Sequence, residues 1–139
     1  MQFFPESNYD ALSISIIMNS TIWALVTEAN GTANLGEGAL VFNTKDFRKF
    51  PFFYNEFKTK EKEFFGNTLF KRDIRSIFIE LGFDKTKPIR SQKPNPLPDR
   101  KALDDIIFDV LDLSKAEREE VYYAVCELVQ NRLNKARSV

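Results

Sequence analysis

At 139 residues, with 43% hydrophobic and 29% charged residues and a formal net charge of zero, the chain has the make-up of one modest folded domain or a compact piece of a larger protein. It contains no histidine, which excludes Ser-His and Cys-His nucleophile pairs, and its single cysteine, Cys126, excludes an internal disulfide and the usual zinc sites. No apolar run is long enough to span a bilayer without interruption, and Met1-Gln2-Phe3-Phe4-Pro5-Glu6 lacks the basic flank of a signal peptide, so a cytoplasmic location is expected.

Asp10 to Ala29 reads as one long, buried helix, because Leu12, Ile16, Met18, Ile22, Trp23, Leu25 and Val26 leave it few polar faces. Asn19, Ser20 and Thr21 interrupt that surface and are expected to bond to the preceding turn or to a neighbouring element. Gly31 stands just past the helix end. From Asn30 to Leu40 three glycines fall where the backbone must turn, presenting amides and small polar side chains that suit phosphate oxygens. Leu40 to Phe42 is a short β-prone run; Thr44 can then cap a brief helix carrying Lys45, Arg48 and Lys49, which Pro51 stops.

The charge is divided along the chain. Residues 1–44 carry four acids and no Lys or Arg, whereas residues 45–75 carry nine bases against five acids. Between Phe52 and Phe70 rings alternate with charges, a pattern that either stacks bases or sorts into an inside and an outside, the second being the commoner. The spacing of Phe70, Ile74, Ile77 and Phe78 predicts an amphipathic helix over Leu69 to Leu81, with Lys71, Arg72 and Arg75 on another face and Gly82 as its stop. Asp84 to Pro98, with Pro88, Pro94, Pro96 and Pro98 and four bases, reads as an extended connector without a packed core of its own.

Beyond it, Leu103, Ile106, Ile107, Val110 and Leu111 repeat at helical spacing, with Asp99 as a possible cap and Asp104, Asp105, Asp109 and Asp112 as a solvated face. Ser114 and Glu117 have capping-box spacing ahead of a second stripe, Val121, Tyr122, Val125, Leu128, Val129 and Leu133. The expected fold is therefore mainly α with a small β component (α+β): a long buried N-terminal helix, a glycine loop with a short strand, and a C-terminal helical hairpin. The expected divisions are a recognition-like segment at 1–83, a proline-rich basic connector at 84–98 and the hairpin at 99–139.

Several words occur in a telling order: Met18-Asn19-Ser20-Thr21-Ile22-Trp23, then Asn34-Leu35-Gly36-Glu37-Gly38-Ala39-Leu40, then Asp46-Phe47-Arg48-Lys49-Phe50-Pro51. Near the end stand Asp99-Arg100-Lys101-Ala102-Leu103-Asp104-Asp105-Ile106-Ile107-Phe108-Asp109, Glu120-Val121-Tyr122, Leu128-Val129 and Arg132-Leu133-Asn134-Lys135-Ala136. This order, over roughly Leu12 to Ser138, resembles the target-recognition and C-terminal region of N-6 adenine DNA methyltransferases of restriction-modification systems. The resemblance implies double-stranded DNA as a partner, together with a catalytic domain of the parent protein that uses S-adenosylmethionine. The DNA contacts expected within this chain are Asn30, Thr32, Asn34, Gly36, Gly38, Lys45, Arg48 and Lys49.

No catalysis is expected of the chain alone, and no cofactor or metal. A cofactor-binding turn needs its glycines between a strand and a helix, whereas Gly31 to Gly38 follow a helix. An adenine-gripping loop needs Asn/Asp-Pro-Pro-aromatic, whereas Asn95-Pro96-Leu97-Pro98 breaks the proline pair and puts Asp99 where the ring belongs. Asp46 with Glu56-Phe57-Lys58 has the residue types of a metal-dependent nuclease core, but Pro51 and the unpatterned rings oppose the strand pair it requires. The alternative is a helical interaction or dimerisation module without DNA affinity, in which the hairpin docks on the parent's catalytic domain or on a second copy.

Overall fold

The computed structural model describes residues 10–30, 32–33, 40–41 and 54–137. Its helices are α1 (Ala11–Met18), α2 (Thr21–Asn30), α3 (Thr59–Asn67), α4 (Ile77–Leu81), α5 (Pro98–Val110) and α6 (Lys115–Arg137), with single 3-10 turns at Leu69–Lys71 and Ile89–Ser91. The expected α+β mixture is not formed: the described fold is helical. Its extended pairing is confined to the two-residue ladder of β1 (Thr32–Ala33) and β2 (Leu40–Val41), antiparallel, with Thr32 opposite Val41 and Ala33 opposite Leu40. A ladder of two residues to a strand adds no layer to the fold.

The single long N-terminal helix is also corrected. It is two helices that meet at 67°, and the polar trio between Met18 and Ile22 makes the break. Asn19 turns its amide back to the Ser15 carbonyl at 2.7 Å, while the Ser20 hydroxyl accepts the Trp23 N–H at 3.2 Å and caps the start of α2. At the other end of α1, Asp10 accepts from the Ser13 N–H and Oγ, and its ion pair with Lys62 at 2.7 Å ties this cap to α3. The lysine and the two Ser13 donors hold the Asp10 carboxyl down at about 2.

The break lets one apolar stretch serve two cores. Ile16 and Ile17 of α1 pack with Phe57, Phe65, Leu69, Leu103 and Ile107, whereas Ala24 and Leu25 of α2 lie on a second cluster of Phe78, Leu81, Phe83, Ile89, Phe108 and α6 residues Val121 to Val129. Ile22 touches both. The helix pair after the connector follows its expected order, and the capping box is formed: Ser114 N–H donates to Glu117 Oε1 at 2.9 Å, and Glu117 N–H to Ser114 Oγ at 3.2 Å. The most extensive helix neighbour of α6 is α2; its meeting with α5 rests on side chains, among them the edge-on Phe108 and Tyr122 rings at 5.7 Å.

One reading beside the connector changes. The helix expected over Leu69 to Leu81 forms only at its end, as α4, because the Arg72 side chain is drawn into ion pairs and the backbone at Arg72 is extended. Gly82 stops α4 as expected, in the left-handed region at φ +78, and a Cβ there would stand 2.4 Å from the Asn95 carbonyl oxygen. The 84–98 connector is fastened to the rest of the fold. Ile89 is buried, and the Asn95 and Leu97 N–H groups donate to the Leu81 and Glu80 carbonyls at 2.8 and 2.9 Å.

Candidate functional site

Of the residues nominated from sequence, two are described. Asn30 ends α2, and its side-chain amide donates to the Val26 carbonyl of its own helix at 2.8 Å. Thr32 stands in β1 opposite Val41. Asn34, Gly36, Gly38, Lys45, Arg48 and Lys49 lie outside the described residues. What the fold supplies is the mounting of the stretch. The β1–β2 pairing draws its two ends together, and α2, from which it departs, is clamped to α6 by Arg132, whose Nε and Nη2 donate to the Glu28 carboxylate at 3.0 and 2.8 Å.

The densest polar feature was not expected. Glu80, at 1% exposure, accepts four hydrogen bonds: Arg72 Nη1 at 2.7 Å, Arg72 Nη2 at 2.9 Å, Arg100 Nε at 2.7 Å and the Arg75 N–H at 2.9 Å. Arg72 also forks onto Asp99 at 2.8 and 2.9 Å, and Arg100 reaches the Asn19 carbonyl at 2.8 Å. One helical turn past Arg100 on α5, Asp104 is fully buried and accepts the Thr21 N–H at 2.9 Å, the Thr21 hydroxyl at 2.6 Å and the Tyr122 hydroxyl at 3.2 Å. The lattice thus joins the start of α2, the end of α4, the first half of α5 and the middle of α6.

Its electrostatics follow from what each carboxylate meets. Burial pushes Glu80 up, but the Arg72 and Arg100 guanidinium groups and the Arg75 N–H outweigh it and bring the carboxyl down to about 2. Asp104 has hydroxyl and amide donors with no cation in direct contact, so burial prevails and its pKa is raised. Burial and the neighbouring Asp104 also raise the Tyr122 hydroxyl. Among the described residues no buried side-chain nitrogen or oxygen lacks a partner. The lattice therefore positions helices, with every buried polar side-chain atom in it partnered.

The assignment of Asp104 to a solvated face is corrected here, and the spacing explains it. The buried face of α5 is Arg100, Leu103, Asp104, Ile107 and Phe108, rotated from the apolar stripe read in the sequence, so Val110 is 45% exposed. Two charged residues hold places on the inner face because their partners arrive from elsewhere in the chain. Asp99 is a first-turn residue paired with Arg72; Leu97 occupies the cap and Pro98 the first helical position.

Two other expectations bear on chemistry. Cys126 is buried as expected of a packing residue, and burial pushes its thiol up to about 12. Among the described residues no group of three or more Asp, Glu or Cys side chains could hold a metal ion, and no single helix is long and apolar enough to cross a membrane. Comparison with family models, curated proteins and solved structures finds no match to the chain.

Proposed function

We propose that this chain is the recognition-side, C-terminal part of an N-6 adenine DNA methyltransferase of a restriction-modification system, acting in the cytoplasm. It holds duplex DNA for a catalytic domain of the parent protein, which supplies the S-adenosylmethionine chemistry, and it catalyses nothing by itself. The order of sequence words from Met18 to Ala136 suggests the class. The structural observation that carries the reading is the mounting of the glycine-bearing stretch: its ends are paired through β1 and β2, and the helix before it is clamped by a carboxylate–guanidinium fork. A segment that must hold register on a phosphate backbone needs such a fixed base. Thr32, Asn34, Lys45, Arg48 and Lys49 then supply base-edge, sugar and phosphate contacts, with Asn30 left only its side-chain oxygen to offer, and the Gly36 and Gly38 amides approach phosphate directly.

The test is a titration of the chain with a short DNA duplex across a salt series. Affinity falls steeply with salt, and replacing Arg48 and Lys49 by alanine flattens the log–log slope by about 1 for each phosphate no longer neutralised. Glu28→Ala adds a sign test for the mounting: removing an acid should tighten binding by charge alone, whereas loosening the clamp weakens it. Affinity that ignores salt and both sets of changes overturns the proposal.

A further inference from the structure

Between α3, α4 and the start of α5 lies a groove of ≈ 480 Å³, a volume typical of binding sites, which run from about 300 to 1,000 Å³. Its apolar lining is Phe64, Ile79, Leu97 and Pro98. Phe64 is 46% exposed and Ile79 50% exposed, and Phe70 and Ile74, between them in sequence, are exposed as well. Of these, Phe64 and Ile79 line the groove itself, and half-exposed large side chains facing one groove mark a surface that a partner covers.

The groove is also preformed. Leu97 is pinned by its N–H bond to Glu80, and the polar wall of Arg72 and Asp99 is locked in the buried lattice. A site with fixed walls binds without first ordering them. Arg75 is the exception on this wall: its backbone N–H is spent on Glu80, while its exposed guanidinium enters no ion pair among the described residues. An apolar lining with one guanidinium outside the ion pairs of the described residues suits neither a polyanion, which needs several cations, nor a wholly apolar ligand.

We propose that this groove docks a segment of another protein in which large apolar side chains stand beside a carboxylate. The apolar residues cover Phe64 and Ile79, and the carboxylate pairs with Arg75. The groove shares no residue with the DNA contacts proposed above.

The test is to pan a random peptide display library against the full chain and to measure the selected peptides by fluorescence anisotropy. Enriched peptides carry two or more large apolar residues next to Asp or Glu. Their affinity falls at least about tenfold with Phe64→Ser and with Arg75→Glu, and exchanging the peptide carboxylate for lysine restores binding to Arg75→Glu. Both positions are exposed, and circular dichroism verifies that each variant is folded. No enrichment, or affinity indifferent to both changes, overturns the proposal. Sedimentation showing self-association that Phe64→Ser abolishes also overturns it, in favour of a second copy of the chain.

Discussion

Two arginine-centred lattices in this molecule have nearly the same bond lengths and opposite surroundings. On the surface, Arg90 forks onto Glu120 at 2.6 and 2.7 Å, reaches Glu127 at 2.8 Å and lies 5.4 Å from the Tyr123 ring centre. In the interior, Arg72 and Arg100 converge on Glu80 at 2.7 to 2.9 Å. The Arg90 side chain keeps 47% of its surface in water and that of Glu80 keeps 1%. Water screens the first set, so each partner remains solvated when the other is removed. In the second set each group stands in for the other's solvent, and loss of one strands the rest. Geometry alone does not separate a surface clamp from a structural keystone; burial does.

Substitutions test this contrast directly. The largest loss is expected for Glu80→Ala, which leaves Arg100 buried without its carboxylate: about 3–5 kcal/mol, read from urea unfolding. A loss under about 1 kcal/mol would place the interior lattice with the surface pairs. Asp104→Ala comes next, at about 1–3 kcal/mol, since it orphans the Thr21 N–H without stranding a directly paired cation.

Acid separates the same two carboxylates by sign. Glu80 has a lowered pKa, so its contribution is complete above its ordinary value of 4.5 and is lost as pH falls through about 2. Asp104 has a raised pKa, so its ionisation costs stability at neutral pH and protonation relieves that cost. Over that acid range wild-type stability should therefore decline more steeply than that of Glu80→Gln, measured by thermal melts at stepped pH. The smallest effect belongs to Arg90→Ala, and it is smaller still in raised salt. A cost equal to that of Glu80→Ala would break the comparison.

What could be read from the sequence was local. The Ser114 and Glu117 box, the glycine stop at Gly82 and the packed thiol of Cys126 each depend on neighbours within a few positions or on a residue's own polarity. What could not be read depended on distant partners. Asp104 looks like a surface acid until Thr21, 83 positions away, brings its hydroxyl and N–H to it. The four prolines of 84–98 suggest an extended connector without a core of its own but do not show that Ile89 and the backbone bonds from Asn95 and Leu97 to α4 fasten it down. At the proposed DNA contacts the residue types argued for phosphate and base edges, yet Asn30 shows how a nominated amide can be spent on its own helix.

The elbow between α1 and α2 has a thermodynamic consequence. Held straight, that stretch would serve one cluster; bent, with Ile22 in both, it joins α5, whose Leu103 and Ile107 lie in one cluster and Phe108 in the other, in making each cluster part of the other's boundary. Amides in α3 and in α6 should accordingly surrender their protection to deuterium in a single concerted opening, although the two helices bury their apolar faces in different places.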